Sequence, residues 1–89
     1  MNEKAIYAGT FDPITLGHLD VVERAAKIFD VLIIGVAAVT GKDTQFTQAE
    51  RVELVGASVE GLANVQVQSF EGLLVDYAQA QGAGVIIRG

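Results

Sequence analysis

The chain has 89 residues, of which 51% are hydrophobic and 19% charged, as expected for one globular domain or part of one. It contains no cysteine and a single histidine, so disulfides and sulfur-ligated metals are excluded and we expect no metal site built from protein ligands. The net charge of −5 argues against a nucleic-acid partner, and the longest apolar run, 31–39, is far shorter than the roughly 20 residues of a membrane helix. The N-terminus lacks a signal-peptide pattern, which makes a cytoplasmic location the expectation.

The first part of the chain predicts a buried strand at 4–8 and an amphipathic helix that starts at about Gly17 and ends at Asp30. Apolar residues recur at spacings of three and four along one side of this helix: Leu19, Val22, Ala26 and Phe29. The charged residues of the other side form two favourable i,i+4 pairs, Asp20 with Arg24 and Glu23 with Lys27.

The middle of the chain predicts a central strand, a polar loop and a second helix. Residues 31–38 are continuously apolar, which is typical of a parallel strand covered on both faces. After the loop at 39–46, Thr47 is the predicted N-cap and Glu50 completes a capping box. We expect this helix to bury Val52, Val55 and Val59 and to direct Glu50, Arg51 and Glu53 outward.

The last part predicts a turn at 61–64 and, from the alternation at 65–68, a half-exposed strand near a sheet edge. A third helix is predicted from 73 to about 81, with Gly82 as its C-terminal cap, and a fourth strand at 84–88. The simplest interpretation of three residues of this helix is that they belong to the core: Leu73, Leu74 and Tyr77.

The order βαβαβαβ with short connections predicts an α/β fold with a parallel sheet. We expect a Rossmann-like sheet of strand order 3-2-1-4, with a switch point between strands 1 and 4 where Thr10 and Arg88 both arrive and where ligands bind. The apolar run 85–87 would form an uncovered edge, which natural proteins usually avoid. The sheet is therefore expected to be truncated at this edge.

The segment 8–18, AGTFDPITLGH, joins the first strand to the first helix. The amides at a helix N-terminus lack internal partners and the helix dipole adds positive charge, so the segment favours an anion. Gly9 is expected to let a ligand approach the backbone, and Thr10 offers a hydroxyl group. Asp12, which precedes a proline, is interpreted as a turn former rather than as a metal ligand or general base.

Two runs of this segment, Gly9-Thr10-Phe11-Asp12-Pro13 and Thr15-Leu16-Gly17-His18, resemble the (H/T)-x-G-H signature of the nucleotidyltransferase superfamily. Several relatives carry histidine at position 15. The threonine found here resembles the pattern of the bacterial phosphopantetheine adenylyltransferases. Further matches lie at Lys42, 46–47, 50–51 and the closing Ile86-Ile87-Arg88-Gly89, so the resemblance covers the whole chain.

The resemblance implies adenylyl transfer from ATP to 4′-phosphopantetheine, which gives dephospho-coenzyme A and pyrophosphate in coenzyme A biosynthesis. It also implies Mg²⁺ arriving with ATP, dephospho-coenzyme A and coenzyme A as product-side ligands, and a homohexamer. Because the family's chains are longer, the resemblance implies that residues 1–89 are the N-terminal part of a single nucleotidyltransferase domain, truncated before a remaining strand and the C-terminal helices. The activity of these residues alone is a separate question.

The resemblance assigns His18 the catalytic role of donating a hydrogen bond to the phosphate under attack. The residues implied for the acceptor substrate are Thr10, Lys42, Leu74, Arg88, Tyr7 and Ala37, and those implied for ATP are Thr10, Phe11, Gly17, His18 and Gly89. Each also has a structural interpretation: His18 as a helix cap, Thr10 as a turn residue, Lys42 and Arg88 as solvated cations, and the apolar residues as packing.

Two alternatives stay open from the sequence. Nicotinate- or nicotinamide-mononucleotide adenylyltransferases share Gly-x-Phe-Asp-Pro, although they typically carry histidine at the place of Thr15 and lack the Ile-Ile-Arg-Gly ending. The other alternative is a non-catalytic fragment that binds a phosphate ligand.

Overall fold

The computed structural model describes residues 3–39 and 44–88, in which three helices alternate with four strands. The elements are β1 (Lys4–Gly9), α1 (Leu16–Ile28), β2 (Val31–Ala37), α2 (Gln48–Ser58), β3 (Val65–Phe70), α3 (Leu74–Ala80) and β4 (Val85–Arg88). The predicted elements are all present, and the main difference in extent is that β3 continues two residues beyond the alternating pattern, to Phe70. None of the helices in these two ranges is long and apolar enough to cross a membrane.

The four strands form one parallel sheet in the order β3-β2-β1-β4, which confirms the predicted topology. In the sheet register, Ala8 of β1 lies opposite Gly35 of β2 and Arg88 of β4. The chain crosses from β2 to β3 on one side of β1 and reaches β4 on the other. The carboxyl end of β1 is therefore the switch point at which α/β sheets bind ligands.

The two faces of the sheet are covered unequally. One face carries a core built with α1 and α2, formed by the buried residues Ala5, Tyr7, Phe11, Val22, Ala25, Leu32, Ile34, Val36, Val55 and Val59. The other face carries a smaller core built with α3, formed by Ile6, Ala8, Ile33 and Ala78. The burial of β1 and β2 from both sides explains why their sequences are continuously apolar.

Three details of the predicted packing are wrong. Arg51 does not point outward from α2, because its side chain is only 2% exposed. Leu73 is not a core residue, since it precedes α3 as the N-cap and is 71% exposed. On α1, Val22 and Ala25 are the buried residues, whereas Ala26 is half-buried.

Of the two predicted ion pairs on α1, Arg24 and Asp20 lie 3.2 Å apart, whereas no contact within 4.0 Å joins Glu23 to Lys27 in the described part of the chain. Both members of the observed pair are well exposed, so its contribution to stability is small. The helix is held mainly by its apolar side.

Candidate functional site at the carboxyl end of β1

The candidate site is built where β1 ends and the chain turns into α1. Thr10 directly follows β1 and is exposed, and Arg88 ends the neighbouring strand β4 and is also exposed. Because Arg88 lies opposite Ala8 in the parallel register, both residues reach the same edge of the sheet, as predicted. The switch point therefore presents a hydroxyl group and a guanidinium group to solvent.

The turn after Thr10 has a backbone conformation that L-residues seldom adopt. Phe11 has a φ of +50° and its ring is 3% exposed. A side chain in this left-handed region is strained, and such strain persists only where packing compensates for it. Here the ring packs edge-on against Tyr7, with 5.3 Å between ring centroids, and against His18, with 4.9 Å.

The structure gives Gly9 a different role from the predicted close approach of a ligand. A Cβ atom at this position would lie 3.2 Å from two atoms of the Phe11 ring. The missing side chain thus leaves space for the chain's own aromatic ring, which in turn packs against His18.

His18 occupies the third position of α1 and closes a capping box with Thr15. The backbone N–H of Thr15 donates to Nδ1 of His18 at 3.0 Å, and the N–H of His18 donates to Oγ1 of Thr15 at 3.3 Å. Since an amide can only donate, Nδ1 is the acceptor, and the proton of the neutral ring is on Nε2. The cap therefore selects the tautomer in which Nε2 can donate a hydrogen bond to a ligand.

Gly17 is exposed, and a Cβ atom there would meet only Oγ1 of Thr15, at an ordinary 3.6 Å. Packing within the described chain therefore does not require glycine at this position. A contact between its backbone and ATP stays a prediction.

The carboxylate of Asp12 connects the turn to the loop that leads into α2. Its two oxygens accept from the backbone N–H groups of Gln45 and Phe46, at 2.7 and 2.9 Å. Asp12 does lie in a turn, but the sequence could not indicate partners more than thirty positions away. Because both oxygens have amide partners, the side chain acts as a brace between two loops.

Arg51 is the buried residue beside the site that sequence reasoning placed on the outward side of α2. Its Nη1 donates to the carbonyl oxygens of Thr10 at 2.8 Å and Ala37 at 2.9 Å, and its Nε donates to that of Phe46 at 3.2 Å. A signal was present, since the spacing of four places Arg51 in line with Val55 and Val59, the buried stripe of α2. The resemblance at 50–51 includes this residue but implies no role for it.

The residues predicted to line an acceptor groove are not all on one surface. Leu74 is half-buried with the smaller core, and Ala37 is half-buried at the end of β2. Tyr7 is only 2% exposed and lies in the core of the opposite face, where burial raises the pKa of its phenol. The structure thus does not present the Tyr7 side chain to a ligand.

An aromatic stack lies beside Leu74 on the face covered by α3. The rings of Phe70 and Tyr77 are 4.5 Å apart and nearly parallel, and the Tyr77 hydroxyl donates to Oε1 of Gln68 at 2.7 Å. Burial raises the pKa of Tyr77. This stack confirms that Tyr77 is a packing residue.

Two predicted site residues, Lys42 and Gly89, lie outside the described residues. Within 3–39 and 44–88, no group of three or more His, Asp or Glu side chains is arranged to hold a metal ion. A depression of about 400 Å³ lies at the opposite end of the sheet, between the end of α1 and the 61–64 turn, and shares no residue with the site.

Comparison with known proteins identifies a family and a fold. A family model described as Cytidylyltransferase-like matches residues 6–89. A putative nicotinate-nucleotide adenylyltransferase from Vibrio parahaemolyticus is 26% identical, with a TM-score of 0.72, over 99% of this chain and 56% of that protein. A lipopolysaccharide core biosynthesis protein from Thermoplasma volcanium is 22% identical, with a TM-score of 0.73, over 94% of this chain and 71% of that protein.

A third similar structure is a bifunctional NMN adenylyltransferase/ADP ribose pyrophosphatase from Francisella tularensis, complexed with AMP and a manganese ion. It is 17% identical, with a TM-score of 0.68, and the match covers 91% of this chain and 25% of that protein. This chain thus spans about half of the Vibrio protein and a quarter of the Francisella protein.

Proposed function

Because the chain belongs to the Cytidylyltransferase-like family, we propose that it carries the phosphate-binding part of an adenylyltransferase site. In the proposed reaction, a phosphate oxygen of the acceptor attacks the α-phosphorus of ATP. The bond from that phosphorus to the oxygen bridging the α- and β-phosphates breaks, and pyrophosphate leaves with the electron pair. No covalent enzyme intermediate is needed, and catalysis consists of positioning and charge stabilisation.

The observation that carries this proposal is the hydrogen bonding of His18. Its Nδ1 accepts from the Thr15 N–H, so the neutral ring keeps its proton on Nε2. A donor held on the first turn of a helix is suited to the negative charge that builds on the α-phosphate in the transition state. Thr10 and Arg88, both exposed at the same sheet edge, are the proposed contacts for the acceptor's phosphate.

We propose 4′-phosphopantetheine as the acceptor. Support comes from Thr15 at the position where mononucleotide adenylyltransferases typically carry histidine, and from the ending Ile86-Ile87-Arg88-Gly89. Leu74 and Ala37 are the proposed apolar contacts for the pantetheine arm, and Lys42, Phe11, Gly17 and Gly89 are proposed for the substrates' phosphates and ATP.

A second candidate acceptor is a nicotinate or nicotinamide mononucleotide. The observation that favours it is the 26% identity to the Vibrio structure, which is named a putative nicotinate-nucleotide adenylyltransferase. Both candidates use ATP as the donor and release pyrophosphate, so the choice between them concerns the acceptor pocket alone.

Magnesium belongs to the proposal as a companion of ATP. Both oxygens of Asp12 accept amide hydrogens, so this carboxylate is committed to the fold. Mg²⁺ would instead be held by the triphosphate and water, which is a common arrangement for this ion. Coenzyme A products as ligands, a homohexamer and a cytoplasmic location are further parts of the same proposal, and sedimentation velocity tests the assembly state.

The test combines calorimetry with an assay of pyrophosphate release. The chain is titrated with 4′-phosphopantetheine, nicotinamide mononucleotide, nicotinate mononucleotide and ATP, and each acceptor is then incubated with ATP and Mg²⁺. We expect binding of phosphopantetheine and pyrophosphate release only in its presence. The matched control is Glu23→Gln, a change on the exposed side of α1 that should leave both readouts unchanged.

Preference for a mononucleotide would transfer the assignment to the second candidate. Binding without pyrophosphate release would make these residues a non-catalytic phosphate-binding module. Failure to bind any of the four compounds would refute the proposal for this chain.

A further inference from the structure

Arg51 is the one charged side chain that is buried in the described part of the chain. Burying a guanidinium group is costly, because the charge loses its hydration, and an apolar side chain of similar size would attach α2 to the sheet at lower cost. The presence of arginine at this place therefore calls for a reason beyond helix packing.

The partners of Arg51 come from three separate parts of the chain. They are the carbonyl oxygens of Thr10 after β1, Ala37 at the end of β2 and Phe46 before α2. The described residues provide no carboxylate within 4.0 Å of Arg51, so its hydrogen bonds go to backbone alone. The planar guanidinium can bond several oxygens in a fixed arrangement, which a lysine ammonium cannot do.

The bond to Thr10 has a consequence for the next residue. In a planar trans peptide, the carbonyl of one residue and the N–H of the next point in opposite directions. Since Arg51 holds the Thr10 carbonyl towards the buried side, the N–H of Phe11 is directed away from it. Phe11 itself has the left-handed conformation, so this peptide directly precedes a strained residue.

We propose that Arg51 is a positioning residue that orients the Thr10–Phe11 peptide, so that the Phe11 N–H can bind an anionic phosphate ligand. The inference rests on the proposed function for the identity of the ligand. The inference adds to the proposed function that a buried residue of α2 controls the backbone of a loop 41 positions earlier in the chain.

Gln48 provides a matched control on the same helix. Its Nε2 donates to the carbonyl oxygens of Val36 at 3.1 Å and Phe70 at 3.3 Å, so it also joins α2 to strand ends, but it does not reach Thr10. If Arg51 served only to attach α2, its replacement and that of Gln48 would have similar effects on ligand binding.

The experiment measures the affinity for pyrophosphate by calorimetry in wild type, Arg51→Met, Arg51→Lys and Gln48→Met. Amide spectra with ¹⁵N labelling report on folding and on the Phe11 N–H. We expect pyrophosphate to shift the Phe11 amide in wild type and Gln48→Met, and both Arg51 variants to lose about tenfold or more in affinity together with that shift. The Lys variant keeps the charge and carries the test if the Met variant does not fold.

Folded Arg51 variants that bind pyrophosphate like wild type would overturn the inference. So would an equal loss in Gln48→Met, or a wild-type protein whose Phe11 amide does not respond. The proposed function can fail while the inference holds. If the Arg51 variants lose affinity for pyrophosphate but the wild-type protein transfers no adenylyl group to any acceptor, the positioning role is supported and the enzymatic assignment is refuted.

Discussion

Replacement of His18 separates two roles that the structure combines in one ring. Nδ1 accepts the Thr15 amide and closes the capping box, while Nε2 is the proposed donor to the α-phosphate. His18→Ala removes both, whereas His18→Gln keeps the cap, because glutamine at the third helical position can accept the same amide. The pair of variants therefore distinguishes stability from chemistry.

The expected loss of stability and the expected loss of kcat differ enough in size to be distinguished. The capping bond is exposed, so water can replace part of it, and His18→Ala should lower the free energy of unfolding by about 0.5–1 kcal/mol. Loss of a transition-state hydrogen bond should reduce kcat by about 100- to 1000-fold, or roughly 2.7–4 kcal/mol. A global loss of stability of the smaller size would leave most molecules folded and would not explain the larger effect.

The assays are urea unfolding and steady-state pyrophosphate release with the acceptor that the protein uses. We expect His18→Gln to unfold like wild type and still to have the low kcat of His18→Ala. Recovery of kcat in His18→Gln would show that the cap alone was required. A rise in KM at constant kcat in His18→Ala would assign His18 to ground-state binding and refute the transition-state role.

Three further outcomes follow from the packing. Gly35→Ala should lower the free energy of unfolding by about 1–3 kcal/mol in urea unfolding, because its Cβ would lie 3.0 Å from the Tyr77 ring; an unchanged midpoint would contradict this contact. Asp12→Ala should cost about 0.5–1.5 kcal/mol in the same assay, since two loop amides lose their acceptor and water can replace part of it, and Asp12→Asn should restore part of the loss. Burial raises the pKa of Tyr7 and Tyr77 above the ordinary 10.0, so their contribution to stability is complete below about pH 10 and is lost as the pH rises towards the folded values. Unfolding free energies measured across that range should fall less steeply in Tyr77→Phe, and an identical slope would argue against the raised pKa of this residue.

The sheet could be predicted from the sequence because its causes are local. A continuously apolar run at 31–38 and an alternating run at 65–68 distinguish a central strand from an edge strand, and β2 and β3 take those places. Short connections between strands and helices then leave few parallel topologies. The capping box at Thr47 was predictable for the same reason, since its partner Glu50 is three residues away.

The internal support of the site could not be predicted, because its partners are distant in sequence. Asp12 is bound by amides 33 and 34 positions later, and Arg51 by a carbonyl 41 positions earlier. Charge on a helix is normally a sign of exposure, and only the position of Arg51 along the buried stripe indicated otherwise. The contact between Gly9 and the Phe11 ring could not be predicted for a related reason, since the ring that fills this space belongs to a residue in a rare conformation.

The burial of Arg51 also bears on how an acidic chain can bind a phosphate. The net charge of −5 would repel an anion at long range. At the carboxyl edge of the sheet, however, two arginine side chains contribute positive charge. Arg88 is exposed there, and Arg51 lies behind Thr10 with carbonyl dipoles rather than a carboxylate as its partners in the described residues. Carbonyl oxygens satisfy the hydrogen bonds of the guanidinium without cancelling its charge, so its positive potential still acts on the loop in front of it. It partly offsets the carboxylate of Asp12, which lies in the same loop and accepts from two backbone amides. A carboxylate partner would have stabilised the buried cation more simply, but it would have removed that potential from the site.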